Sequence, residues 1–131
     1  NLLNTKQNSI SVTYKDNPCG LGRVTKKNEY TLERIIEEKD CDPSQKEITL
    51  TNCGIYIVSH EDLKNNILLI DNNNAQKEYY LPDIFYHISK YSNVNLYYIP
   101  VDFQYVTNGV NTQEQLIELE SIYQKITKNN H

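Results

Sequence analysis

Residues 48–58, ITLTNCGIYIV, restrict the fold more than any other stretch of the chain. The segment CGIYIV is a nearly continuous run of apolar and small residues, the pattern of a strand buried on both faces. A second strand is expected over residues 8–15, with Ile10, Val12 and Tyr14 on one face. It is closed by the turn sequence DNPCG at 16–20. Residues 22–25 read as a short strand, 26–29 as a polar hairpin tip and 32–37 as the returning strand, although LERIIEEK also suits a helical turn. Residues 40–46, with Pro43, read as a loop.

Helices then alternate with strands. Ser59 and Asp62 are spaced to cap a short helix running to Asn66. After the polar loop 72–80, Pro82 suits the first turn of a helix carrying Ile84, Phe85, Ile88 and Tyr91. A strand is expected at 96–100 and a turn at Asn108-Gly109. An amphipathic helix is expected at 112–127, with Leu116, Leu119, Ile122, Tyr123 and Ile126 on its inner stripe. The alternation places the chain in the α/β class. No internal repeat or Gly/Ser linker divides it, so its 131 residues are expected to form one domain.

A net charge of −4 argues against a nucleic-acid binder, which usually shows a basic patch. The longest apolar run, residues 67–70, is too short to span a bilayer. No basic-then-apolar leader opens the chain. Cys19, Cys41 and Cys53 are odd in number and widely spaced, which suits free thiols in a reducing compartment. A cytoplasmic protein is the expectation.

Individual motifs are weak. The spacing of Asp83 and His87 is compatible with a metal, but an ordinary helix-surface pair is the simpler reading. His60 and His131 read as solvated, and Cys19 as a small buried turn residue rather than a nucleophile. CGLGRV, residues 19–24, has a Gly-x-Gly core without the third glycine of a dinucleotide fingerprint, and it suits a tight turn. Glu37 and Glu38 are strand neighbours, so only one can face a given cleft. Asn52 enters a core strand and must satisfy its amide with backbone or with ligand hydroxyls. Asn111 is either a helix cap or an oxygen ligand for a hard cation.

In order, the stretches GLGRV, IIEEKD, TNCGIYIV, NNNAQKEYYLPDI and NGVNTQEQL resemble the uridylyltransferase domain of bacterial N-acetylglucosamine-1-phosphate uridyltransferases. The resemblance covers nearly all of residues 10–125, and the Asn-Ala-Gln-x-Glu-Tyr-Tyr and Gly-Val-Asn runs are its most specific parts. It implies a mixed sheet with flanking helices, the sugar-binding half of a Rossmann-like nucleotide-diphospho-sugar transferase domain, so that residues 1–131 form a single partial domain. The implied substrates are UTP and N-acetylglucosamine 1-phosphate, with UDP-N-acetylglucosamine and pyrophosphate as products and Mg²⁺ as cofactor. Gly22 would lend backbone near the sugar, and Glu37 and Asn52 would bond its hydroxyls or N-acetyl group. Glu78 and Tyr80 would line the pocket, and Asn111 would ligate the Mg²⁺.

Two positions depart from the family pattern: Pro82 replaces a threonine and Gln113 an arginine. The family's Gly-rich triphosphate loop and its other magnesium ligand have no counterpart in this sequence. The chain alone is therefore expected to be inactive, and to self-associate through a sheet edge that the missing half would cover. A non-catalytic sugar-nucleotide or partner-binding module is the alternative, as is a pyrophosphorylase for another hexose 1-phosphate.

Overall fold

The computed structural model describes residues 7–100, 105 and 107–129. Two compact units meet in sequence between Tyr98 and Ile99. The first contains five strands, β1 (Ser9–Tyr14), β2 (Arg23–Asn28), β3 (Thr31–Ile36), β4 (Leu50–Ile57) and β5 (Asn95–Tyr98). Its helices are α1 (Pro43–Lys46), α2 (His60–Asn66) and α3 (Asp83–Ser89). In the second unit, α4 spans Gln113–Asn129.

The strands form a mixed sheet closed in the order β1-β4-β2-β3-β5. β1 runs parallel to β5 and antiparallel to β4, and β2 and β3 form an antiparallel hairpin. Single pairings, Arg23 with Thr51 and Thr31 with Asn95, join the hairpin to the other strands. Each of these five strands therefore has two neighbours. The bare edge expected from the sequence does not form, because the parallel β1–β5 pairing closes the ring.

The strand buried on both faces is β1 and not β4. Ile10 and Val12 enter the core, and Ser9, Ser11 and Thr13 are buried as well. Thr13 uses its carbonyl to accept the Thr51 hydroxyl at 2.9 Å. β4 loses its double burial at a bulge, where pairing jumps from Val12–Asn52 to Ile10–Tyr56. Gly54 has φ +77° there, which favours glycine, and Ile55 is exposed. Ser11 Oγ replaces the interrupted ladder, donating to the Ile55 carbonyl at 3.0 Å and accepting from its N–H at 3.2 Å.

The hairpin tip lies later than the sequence reading placed it. Lys26 and Lys27 remain in β2, and Asn28 Oδ1 accepts from the Tyr30 N–H and the Thr31 hydroxyl at the turn. Residues 31–36 form the expected strand. The loop around Pro43 holds the short helix α1, closed by a reciprocal capping box between Asp42 and Gln45. Ser59 caps α2 as its spacing predicted, accepting from the Asp62 N–H at 3.0 Å. Helix α3 places Ile84, Phe85 and Ile88 in the core with Val24, Leu32, Ile35, Leu50, Val94 and Leu96. Tyr91 lies beyond its end, exposed, with its hydroxyl on Asp62 Oδ1 at 2.8 Å.

Within the second unit, Leu119, Ile122 and Ile126 form a half-buried stripe on α4, while Leu116 and Tyr123 are exposed. The reading of His131 as solvated falls outside the described residues. None of the helices among the described residues is long and apolar enough to cross a membrane.

Candidate functional site

Gly22, Glu37 and Asn52 lie on three different strands or their ends, and the sheet brings them together. The Asn52 N–H donates to the Gly22 carbonyl at 2.9 Å. A Cβ on Gly22 would come 3.3 Å from Ile35 Cγ2, 3.4 Å from Glu37 Oε1 and 3.6 Å from Asn52 Cβ. Two glycines serve this turn differently. Gly20 supplies a left-handed conformation (φ +79°), and Gly22 supplies room beside Glu37.

Asn52 is placed by the β4 bulge. Its Nδ2 donates to the Tyr56 hydroxyl at 2.7 Å, and its Oδ1 accepts from the Gly54 N–H at 3.1 Å. Burial raises the Tyr56 phenol above its ordinary range, and the negative charge of Glu37 adds to this. β3 ends at Ile36 and a short 3₁₀ turn, Glu38–Asp40, follows, which separates the two glutamates: Glu37 faces a cleft while Glu38 pairs with Arg23 at 2.6 Å.

That cleft has a volume of about 300 Å³. Its walls include Glu37, Tyr80, Arg34, Asp40, Asp71 and Asp83. Burial, followed by the charges of Asp83 and Asp40, raises the Glu37 carboxyl above the usual carboxylate range. Burial raises Asp83 as well, against the opposing charge of Arg34. A partly desolvated carboxylate regains favourable interactions when a ligand hydroxyl or N–H donates to it.

The polar loop over residues 72–80 folds onto this cleft through its own amides. The Ala75 N–H donates to Asp40 Oδ1 at 2.8 Å, tying the loop to the turn that follows Glu37. Asn74 brackets Glu78, donating to its carbonyl at 2.6 Å and accepting from its N–H at 3.1 Å. Gln76 Nε2 donates to the Tyr80 hydroxyl at 2.7 Å. Tyr80 is half-buried and lines the cleft, whereas Glu78 is exposed and is not among its lining side chains.

Asn111 belongs to the second unit. Thr112 rather than Asn111 caps α4, its hydroxyl accepting from the Gln115 N–H at 3.3 Å. Gln115 Oε1 in return accepts from the Asn111 and Thr112 N–H groups at 2.7 and 3.1 Å. The Asn111 side chain makes no hydrogen bond among the described residues, so its amide oxygen is available. An amide oxygen suits Mg²⁺, but one donor is not a site. Among the described residues no group of three or more His, Cys, Asp or Glu side chains could hold a metal ion.

The sequence reading passed over Asp40, Asp71 and Tyr56. Asp40 is carried beside Glu37 by the short 3₁₀ turn Glu38–Asp40, Tyr56 is brought to Asn52 by the β4 bulge, and Asp71 meets Glu37 only in the folded cleft. Cys19, expected to be buried, is exposed. The turn directs it outward, with its N–H on Asn17 Oδ1 at 3.2 Å.

No family model matches the chain. A probable UDP-N-acetylglucosamine pyrophosphorylase of Acanthamoeba polyphaga mimivirus is 42% identical over 115 residues, covering 86% of this chain and 45% of that protein. The bifunctional protein GlmU of Clostridium tetani is 38% identical over 117 residues, covering 89% of this chain and 25% of GlmU. The GlmU of Alkaliphilus oremlandii is 39% identical over 124 residues, covering 94% and 27%. The chain is homologous to part of the UDP-N-acetylglucosamine pyrophosphorylases. It spans less than half the length of these relatives. The pyrophosphorylase homology covers both the Gly22–Glu37–Asn52 cluster and the loop carrying Tyr80.

Proposed function

We propose that the chain is the sugar-phosphate-binding part of a uridylyltransferase domain. The domain would convert UTP and N-acetylglucosamine 1-phosphate into UDP-N-acetylglucosamine and pyrophosphate. The place of Glu37 carries this reading: it lines the Tyr80 cleft and lies beside Gly22 and Asn52, which do not themselves line it. Glu37 accepts hydrogen bonds from sugar hydroxyls or the acetamido N–H, and Asn52 offers its remaining amide capacity to the same face. Tyr80, braced by Gln76, covers an apolar sugar face, and Glu78 sits on the loop that folds over it. Gly22 keeps a side chain away from the sugar. No protein nucleophile is needed: the sugar phosphate attacks the α-phosphorus of UTP and pyrophosphate leaves, so the protein's work is positioning and charge stabilisation. Mg²⁺, when bound, neutralises phosphate charge, and Asn111 would supply one oxygen ligand.

In this reading residues 1–131 form one partial domain of a Rossmann-like, cytoplasmic enzyme, and the triphosphate is held by polypeptide outside it. The 131-residue chain then binds N-acetylglucosamine 1-phosphate but makes no UDP-N-acetylglucosamine. Isothermal titration of the chain and of its Glu37→Gln variant tests the first half. Saturable binding that weakens at least about tenfold in the variant is expected, since a hydrogen bond to a charged group contributes about 1.5–3 kcal/mol. Equal binding by both would remove Glu37 from the site.

A non-catalytic sugar-nucleotide-binding module is favoured by one pair of observations. Pro82 at the start of α3 brings no hydroxyl to the cleft, and Gln113 at the start of α4 brings no positive charge. Product formation by the full-length protein, assayed with UTP and magnesium, would exclude this second reading.

A further inference from the structure

We infer that Arg23 is a positioning residue that holds Gly22 and Glu37 in register from the side away from the sugar. This rests on the function proposed above and names how that site is kept in shape.

Arg23 opens β2 and is only 2% exposed. Its guanidinium joins three separate segments. Nη1 donates to the carbonyls of Pro18 (2.7 Å) and Leu21, both in the glycine turn. Nη2 meets Glu38 Oε2 at 2.6 Å and the carbonyl of Lys46, at the end of α1, at 3.4 Å. The Leu21 carbonyl belongs to the peptide that leads into Gly22, so holding it fixes the plane of the Gly22 N–H. On its other side, the Gly22 carbonyl is fixed by the Asn52 N–H at 2.9 Å. Glu38 follows Glu37 directly and opens the 3₁₀ turn Glu38–Asp40, so anchoring Glu38 sets how the chain leaves β3 and where Glu37 enters the cleft. One planar fork thus spans the turn that presents Gly22 and the strand end that presents Glu37. A lysine ammonium keeps the charge but cannot reproduce the fork.

An Arg–Glu pair, buried at Arg23 and half-buried at Glu38, that served stability alone would loosen the whole sheet when disturbed. A positioning role predicts a local change, read without ligand by amide hydrogen exchange. The Asn52 amide, bonded to Gly22, is compared with the Leu32 amide, bonded to the Val94 carbonyl at 2.9 Å. In Arg23→Lys, Asn52 exchange is expected to accelerate about tenfold relative to Leu32, and affinity for N-acetylglucosamine 1-phosphate to fall by a similar factor. Glu38→Gln, which removes the charge and keeps the shape, gives the same readout if Arg23→Lys does not fold. Equal acceleration at both amides, or none at either, would overturn the inference. Absence of sugar-phosphate binding by the unaltered protein would instead overturn the proposed function, leaving the exchange ratio to decide the role of Arg23.

Discussion

Adding a single methyl group at Gly22 separates the cost to folding from the cost to the site. Gly22 does not have a positive φ, so alanine can adopt its backbone conformation. Restricting the unfolded chain then contributes about 0.4–1 kcal/mol of stability. Against this, the new Cβ sits 3.3 Å from Ile35 Cγ2. Ile35 is 5% exposed and packed in the core, so it has little room to retreat. Overpacking of this kind costs about 1–3 kcal/mol. The net expectation for Gly22→Ala is a loss of about 1–2 kcal/mol, a fall in melting temperature of roughly 4–8 °C.

The same Cβ lies in van der Waals contact with Glu37 Oε1, 3.4 Å away, and takes up room in which a ligand hydroxyl would approach that carboxylate. Hydrogen bonds to a charged acceptor contribute about 1.5–3 kcal/mol, so sugar-phosphate affinity should fall roughly 10- to 100-fold. Gly109→Ala is the control, since a Cβ there meets nothing within 4 Å. Thermal melting followed by circular dichroism, with isothermal titration of N-acetylglucosamine 1-phosphate, measures both effects. If Gly22→Ala melts and binds like Gly109→Ala, the close approach of Gly22 to Glu37 has no functional meaning.

Three further outcomes follow from the same geometry. Burial raises the Glu37 carboxyl, so its ionised form costs folding free energy above that raised value, and the cost vanishes below the unfolded range near about pH 4.3. Glu37→Gln should therefore melt higher than the unaltered protein at neutral pH, with the gap closing on acidification; a gap independent of pH would contradict this. Phe85→Ala, at a 0% exposed position with its ring centroid 5.1 Å from that of Tyr56 in a tilted pair, should cost about 3–5 kcal/mol in urea unfolding, and a loss below about 1 kcal/mol would show that the α3 face is not core. Exposed Cys19 should be alkylated by iodoacetamide well before Cys53, whose thiol is pushed up to about 11 by burial; peptide mass mapping that finds equal rates would count against the burial of Cys53.

Local chemistry made much of this fold readable. Ser59 and Asp62 announced α2, and the apolar spacing of Ile84, Phe85 and Ile88 announced α3. Asp42, Pro43 and Gln45 held an equally plain cap signal, overshadowed by the tendency to read proline as loop. Long-range pairing was not readable. The run CGIYIV looks like a doubly buried strand, yet Gly54 opens a bulge that turns Ile55 outward, and the parallel pairing with β5 instead buries both faces of β1. The candidate site divides the same way. Glu37, Asn52 and Tyr80 stood out because a carboxylate, an amide and an aromatic ring suit a sugar. Asp71 and Asp83 become neighbours of Glu37, and the Arg23 fork reaches Glu38 and Lys46, only when segments distant in sequence are brought together.

The central claim is that this chain carries an acceptor-sugar site centred on Gly22, Glu37, Asn52 and Tyr80. Titrating the isotopically labelled chain with N-acetylglucosamine 1-phosphate, and separately with glucose 1-phosphate, while following its amide resonances tests this most directly. The account predicts saturable shifts concentrated at Gly22, Glu37, Asn52 and the loop ending in Tyr80, and weaker ones with the sugar that lacks the acetamido group. Shifts absent from these residues, or scattered over the surface, would contradict it.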